Sequence, residues 1–281
     1  GAMPGNRYDG PALARGARIL DHSHKPASRP AETSSMWRVG IDVGGTFTDL
    51  FAWEEGGQRR QLTSKVLTVK EDRAQGVLNA IREAGIAPAE ISHLMHGTTT
   101  ATNALITRDY PEAAMITTNG FRDTIEIGRQ HRAALYDPYQ QKPKPLIKRR
   151  FRYTVGERMD VKGAVVRPLD RAEALAVAEK IKAAGIKSVA IAFINSYVNP
   201  AHENAMRDIV LEVNPGIWCV TSADTRPVFR EHGRFATTAI RACTIPVMEQ
   251  YFERLESRLK EAGFTGRLLI LKSSGGITGV D

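Results

Sequence analysis

Cysteine is nearly missing from this 281-residue chain: Cys219 and Cys243 are the only two, and no CxxC spacing occurs. That excludes a disulfide framework and a thiolate metal knuckle, and makes reduced, cytoplasmic thiols the expectation. Long hydrophobic runs are missing too. The longest apolar stretch, 189–194, is far below the roughly 20 residues of a membrane span, and the N-terminus has no basic-then-apolar signal pattern. There is no GxxxxGK[ST], no GxGxxG and no GxSxG, which sets aside a Walker loop, a dinucleotide fingerprint and a serine nucleophile elbow.

Acidic residues are also in deficit. Lys plus Arg number 39 against 31 Asp plus Glu, a formal charge of +8. The excess is local. From Arg129 to Arg152 eight basic residues face a single acid, Asp137, so this one segment carries seven of the eight net charges. Pro138, Pro143 and Pro145 make it extended and irregular. Tyr136, Tyr139, Phe151 and Tyr153 in or beside it would suit single-stranded nucleic acid, but a nucleic-acid binder spreads its charge over a face. The expectation is therefore no nucleic acid and no membrane, and a surface loop that meets an acidic partner subunit or covers a cleft.

What is present is ordinary globular material, 42% hydrophobic and 25% charged, enough for one large or two small cores. Residues 1–35, rich in Pro, Ser, Ala, Arg and His and opening on a Gly-Ala-Met scar, read as a disordered leader or tag. Three short strands joined by glycine turns (38–43, 47–53, 61–69) predict an antiparallel meander. The period then changes: helices are expected at 70–84, 98–107, 120–127, 171–184 and 201–212, with strands at 91–95, 113–117, 188–193 and 217–221. A hairpin is expected over 151–167, a long helix over 228–262 broken near Pro246, and a last strand at 268–271 before Ser273-Ser274-Gly275-Gly276. Alternating strands and helices after a meander predict an α/β fold with a mixed sheet. A strand and glycine turn with no following helix suggest that the chain has been cut.

The sharpest chemical signal is Asp42-x-Gly44-Gly45-Thr46-x-Thr48-Asp49. A strand delivers Asp42 to its end, two glycines turn the backbone without Cβ atoms, and successive N–H groups in such a turn form an anion nest. Thr46 and Thr48 add hydroxyls, and Asp42 suits a divalent cation held through water. The pattern predicts a phosphate clamp; the plain alternative is a hairpin turn. His93 and His96 are spaced as a metal pair, but i,i+3 faces of a strand diverge, and a structural or substrate-facing role for His96 is preferred. Thr98 and Thr99 open a helix whose N–H groups suit an anion or polar substrate, or simply cap it. Arg129 and Gln130 are candidate substrate-side donors. Arg230, Glu231, His232 and Arg234 are expected at a lobe or subunit contact, and Cys243, inside an apolar helix, is no nucleophile.

Residues 40–49 (Gly-Ile-Asp-Val-Gly-Gly-Thr-Phe-Thr-Asp) resemble the first phosphate loop of the hydantoinase A/5-oxoprolinase family, which includes related acetone and acetophenone carboxylase subunits. His96-Gly97-Thr98-Thr99-Thr100-Ala101-Thr102-Asn103-Ala104-Leu105, Ile116-Thr117-Thr118-x-Gly120-Phe121-Arg122-Asp123, Glu126-Ile127-Gly128-Arg129-Gln130, Glu157-Arg158, Pro168-Leu169, Phe229-Arg230-Glu231 and Ser273-Ser274-Gly275-Gly276 follow in the family's order. The resemblance implies an actin-like ATPase (ribonuclease H-like) lobe with an inserted α/β segment and an incomplete second lobe. The implied domains are 36–225, a hydantoinase/oxoprolinase N-terminal domain, and 226–281, the truncated start of the main hydantoinase A domain. It implies ATP and Mg2+ as cofactors and phosphorylation of a carbonyl oxygen of a small substrate. Ring-opening hydrolysis of a cyclic amide would follow, or, in the alternative, carboxylation of a ketone. Gly44, Gly45 and Thr46 would hold phosphates with Thr48 supporting, Asp42 would position Mg2+ or its water, and Asp49 would bond the turn. A hydantoinase B-type subunit is the implied partner. Only one Asp-x-Gly-Gly-Thr loop is present where the family has two, so the chain alone is expected to bind ATP weakly and turn nothing over. A non-catalytic assembly module is the reading of another class.

Overall fold

The computed structural model describes residues 36–56, 60–69, 72–131, 134, 136–272 and 276–279. The expected leader and Ser273-Ser274-Gly275 lie outside them. Alternation builds the first strands. In β1 (Met36–Val43), Trp37, Val39, Ile41 and Val43 are buried while Arg38, Gly40 and Asp42 take the other face. β2 (Phe47–Glu55) returns antiparallel, burying Thr48, Leu50 and Ala52, and β3 (Gln61–Leu67) completes the meander. The carboxylate of Asp72 caps α1 (Arg73–Glu83) by accepting from Gln75 N–H, and Ala74, Val77, Ala80 and Ile81 face the buried side of the meander. β4 (Ile91–Thr98) then pairs parallel with β1, on the side away from β2. α2 (Thr100–Thr107), β5 (Ala113–Thr118) and α3 (Thr124–Ile127) follow. α3 is half the expected length because Gly120, at φ +88°, opens a turn there.

β6 (Arg152–Val155) pairs parallel with β5. The expected hairpin therefore shrinks to β7 (Arg158–Met159) and β8 (Val165–Arg167), joined by a turn in which the Asp160 carboxylate accepts from Lys162 N–H and Ala164 N–H. Then come α4 (Arg171–Ala183), β9 (Ser188–Ala192), α5 (Ala201–Val213), β10 (Trp218–Thr221), α6 (Ser222–Thr225), α7 (Glu231–Glu261), β11 (Arg267–Leu271) and β12 (Ile277–Thr278).

These strands form two main sheets. The first, ordered β12-β11-β4-β1-β2-β3, is mixed; the second, β10-β9-β5-β6, is all parallel. The α/β class with a mixed sheet is as expected. α4 and α5 cover one face of the second sheet through Ala174, Ala178, Ile181, Met206 and Ile209. α7 covers the other face with Phe235, Ala239, Ala242 and Cys243, then reaches the first sheet with Tyr251, Leu255 and Leu259. This explains why the expected break near Pro246 does not occur and α7 runs through 31 residues. An interior proline costs about 3 kcal/mol. Burial of Phe235, Tyr251, Leu255 and Leu259, at roughly 1.5–3 kcal/mol each, offsets that cost from both sides. The opposite face of the first sheet is open among the described residues. Phe47, Phe51, Leu67 and Leu271 are exposed on it, beside a groove of about 890 Å3. No described helix is long and apolar enough to cross a membrane.

Candidate functional site

Asp42 is the last residue of the open face of β1, and it lines that groove. Its cross-strand neighbours are Asp49 on β2 and Gly97 on β4. Two acids side by side repel, and the fold neutralises only one: Lys65 Nζ lies 2.8 Å from Asp49 Oδ1. The expected bond from Asp49 to the turn is thus replaced by a pairing across β2 and β3. Asp42 takes no hydrogen bond or ion pair among the described residues. Its space is kept by Gly97, where a Cβ would stand 3.2 Å from Asp42 Oδ1.

The turn after Asp42 is tight. Gly44 N–H donates to Phe47 O at 3.0 Å, and a Cβ on Gly44 would stand 3.0 Å from that oxygen. Neither Gly44 nor Gly45 has positive φ, so the turn is not the alternating right- and left-handed nest that its sequence suggests. The glycines serve by close approach. The N–H groups of Gly45 and Thr46, both exposed, meet no acceptor among the described residues, which leaves two donors outward beside a free carboxylate. Thr48 is fully buried. Its hydroxyl shares a 3.0 Å bond with that of Thr68, which donates to Gly44 O, so it braces the turn from beneath.

The start of α2 adjoins this turn: Thr99 N–H reaches Val43 O at 3.5 Å, and Asn103 Nδ2 lies 3.9 Å from a Cβ built on Gly45. Thr98 Oγ1 accepts from Thr100 N–H, while Thr99 Oγ1 accepts from Asn103 Nδ2, so both threonines order the first turn of the helix. Arg73, which carries no sequence signal, donates to Thr100 Oγ1 at 3.0 Å. A hairpin turn, a helix N-terminus and a carboxylate therefore meet at one corner, with two donors and the carboxylate unpaired among the described residues. A helix start favours anions. A single carboxylate suits Mg2+, which keeps waters and phosphate oxygens among its ligands. Among the described residues no group of three or more His, Cys, Asp or Glu could cage a metal.

His96 is not on this surface. It points into the core, fully buried, with Nε2 2.7 Å from Tyr251 Oη on α7 and Nδ1 unpartnered. His93 takes the other face, as the strand spacing predicts. Burial pushes the His96 pKa down from 6.5 to about 4. The unfolded chain thus binds a proton between pH 6.5 and 4 that the folded chain refuses. Stability is expected to hold above pH 6.5 and to fall by up to about 1.4 kcal/mol per pH unit below it, levelling near pH 4. Urea midpoints from pH 7.5 to 4.5 would check this. If His96→Gln kept the same slope, the histidine would not be its source.

Arg129 and Gln130 are not at the hairpin either. They are exposed and line a second cavity, of about 680 Å3, beside the start of α7. Arg234, expected at a surface contact, is buried, with Nη2 donating to Phe193 O at 2.7 Å. Cys243 is buried and its thiol pushed up to about 12, which leaves it un-ionised.

Known proteins share this architecture. The description "Hydantoinase/oxoprolinase N-terminal region" fits residues 38–214. An uncharacterized protein of Methanocaldococcus jannaschii is 41% identical over 247 residues, 87% of this chain and 36% of that protein. The crystal structure of the ATP-dependent caprolactamase from Pseudomonas jessenii superposes with a TM-score of 0.76 at 30% identity, over 85% of this chain and 36% of that one. The nucleotide-free structure of acetone carboxylase, from work on ATP-dependent acetone carboxylation, gives 0.74 at 26% identity, over 87% and 37%. The chain spans little more than a third of the length of these relatives. Both likenesses are consistent with an actin-like ATPase-type lobe. With more than half of its length matched, the chain belongs to the hydantoinase/oxoprolinase N-terminal region family.

Proposed function

We propose that this chain supplies the first phosphate-binding lobe of an ATP-dependent enzyme that phosphorylates the carbonyl oxygen of a cyclic amide and then hydrolyses the ring. The observation that carries the reading is the unpaired Asp42 carboxylate set beside the free N–H groups of Gly45 and Thr46 and the start of α2. A phosphate chain needs donors and a cation, and this corner offers both. Asp42 would hold Mg2+ through water, and the cation would neutralise charge between the phosphates. Gly45 N–H, Thr46 N–H and the Thr46 hydroxyl would fix the phosphate oxygens, and Thr48 would keep the turn in place. With one hairpin the clamp closes from one side only. The opposing phosphate loop and the adenosine pocket belong to the remaining length of the protein, and a hydantoinase B-type subunit is the proposed partner.

The reaction would run as an attack of the amide oxygen on the terminal phosphorus, with the bond to ADP breaking. Water then adds to the activated carbon, the C–N bond opens with its nitrogen protonated, and a further water releases phosphate. The likeness to acetone carboxylase favours one second reading, a subunit of an ATP-dependent ketone carboxylase. ADP release by the complete protein against hydantoins, lactams and ketones, with and without bicarbonate, separates the two. Lactam- or hydantoin-dependent release without bicarbonate is expected. Release that demands a ketone and bicarbonate would replace the first reading with the second. Nucleotide binding with no release for any compound would point to an assembly module.

A further inference from the structure

We propose that the cavity between the end of α2, the 126–146 segment and the start of α7 is a carboxylate-binding pocket that takes a small organic acid. Five cations line it: Arg108, Arg129, Lys142, Lys144 and Arg226. None is ion-paired among the described residues. Arg108 donates to the carbonyls of Lys144 and Pro145 and shares a hydrogen bond with the Tyr110 hydroxyl, and Lys142 donates to the carbonyl of Ile127, so no carboxylate among the described residues neutralises either charge. The guanidinium of Arg129 lies against Gly233, 3.4 Å from where a Cβ would stand.

The rest of the basic segment behaves differently. Lys148 pairs with Glu112, Arg149 with Asp123, and Arg152 with Asp123 and Glu126. Glu126 is the only acid at the cavity wall, and Arg152 engages it at 2.7 Å. The fold thus neutralises the cations that face the framework and leaves bare those that face the cavity. A solvated surface loop gives no reason for that division, whereas an anionic occupant does.

One feature refines the occupant. Part of the lining is apolar, supplied by Ile125, Leu146, Ala236 and Ile240, which suits an acid with a hydrocarbon or ring body better than a bare inorganic ion. His232, on the first turn of α7, also lines the cavity. The backbone is strained at the rim, with Arg108 at φ +56° and Gln130 at φ +58°, a conformation that costs energy outside glycine.

The pocket is separate from the phosphate corner but tied to it. α2 starts at the hairpin and ends at Arg108, and its eight residues span about 12 Å.

The test is direct binding to the 281-residue chain without ATP, so it does not depend on the proposed reaction. Benzoate and benzamide, alike in shape and different in charge, are titrated by calorimetry or ligand-observed NMR at millimolar concentration, with bicarbonate and inorganic phosphate as competitors. Benzoate is expected to bind about 10-fold or more tighter than benzamide, since a charged hydrogen-bonded partner is worth that much. The preference should weaken with salt. Arg129→Gln and Lys142→Gln, at exposed unpaired positions, should each abolish most of the benzoate preference, and Asp42→Asn should leave it intact. Equal binding of the two probes, no benzoate binding, or an unchanged preference in both variants would overturn the pocket. Displacement of benzoate by equimolar bicarbonate or phosphate would overturn the organic occupant. If benzoate binds as expected while the complete protein releases no ADP with any compound, the reaction fails and the pocket stands.

Discussion

Asp42→Asn in the complete protein is expected to lower substrate-dependent ADP release by about 100-fold or more, the loss seen when one preorganised charge-stabilising group is removed. The variant should unfold at the wild-type urea midpoint. Both halves follow from the same observation. Asp42 takes no hydrogen bond or ion pair among the described residues, so the fold loses no partner when its charge is removed. Asparagine keeps its shape, so the space over Gly97 stays filled. If the carboxylate acts on a cation between phosphates, its charge is needed most as charge moves in the transition state, and kcat should fall more than nucleotide affinity. Asp49→Asn is the matched control. Asp49 shares the face but is paired with Lys65 at an exposed position, where an ion pair is worth about 1 kcal/mol or less, so ADP release should change little. Unchanged turnover in Asp42→Asn would remove Asp42 from the site, and a loss in both variants would mean that the whole face, rather than one carboxylate, matters.

The corner around Asp42 is legible as a piece of geometry because its parts are close in sequence: one octapeptide supplies the carboxylate, the turn and the outward N–H groups. Strand parity narrows two readings that the motifs leave broad, Thr48 as a supporting hydroxyl and His96 as structural or substrate-facing. Thr48 has the parity of Leu50 and Ala52, and His96 that of Leu94, all buried. Applied to those two positions, period-2 alternation would have moved both off the ligand side. By the same parity Gly97 belongs with Met95 on the open face, and its part in seating Asp42 needs only the parallel pairing of β1 with β4.

That pairing is where local signals end. The meander was readable from three amphipathic runs and their turns, but β4 joins β1 by pairing Ile91 with Trp37, and β11 joins β4 by pairing Arg267 with His93, and no local period encodes such distant partners. Pro246 misled for a related reason. Proline's local penalty is visible in sequence, whereas the two cores that keep α7 continuous across it are assembled from distant strands. The basic segment was visible as a run of charge, but its division into neutralised and bare cations depends on Glu112, Asp123 and Glu126, all outside the run.

Arg234→Met should lower stability by about 3–5 kcal/mol, the usual cost of breaking a buried charged network from one side, out of the roughly 5–15 kcal/mol typical of a folded protein. Arg234 is 1% exposed. Its Nε donates to Ser222 Oγ at 3.0 Å, Nη1 to Val228 O at 3.0 Å and Nη2 to Phe193 O at 2.7 Å. Ser222 in turn donates to Glu203 Oε1 at 2.6 Å, and Glu203, also buried, accepts from Phe193 N–H and Ala223 N–H. Burial raises the Glu203 pKa while these bonds oppose the rise. One guanidinium thus joins the end of β9 to α5, α6 and α7. Methionine fills similar volume but removes three hydrogen bonds at once and leaves Glu203 without a nearby cation, while Phe193 O keeps only the Ser196 hydroxyl as a side-chain donor. Ser222→Ala, which removes only the relay between them, should cost less, about 1–3 kcal/mol. Urea unfolding of the two variants decides the matter: a shift under ~1 kcal/mol for Arg234→Met would show that Glu203 is satisfied by its N–H donors alone. A large shift would carry a further consequence, since Arg234 anchors the turn of α7 that also bears His232 and Gly233. Loosening it should weaken benzoate binding even though Arg234 is not part of the cavity wall.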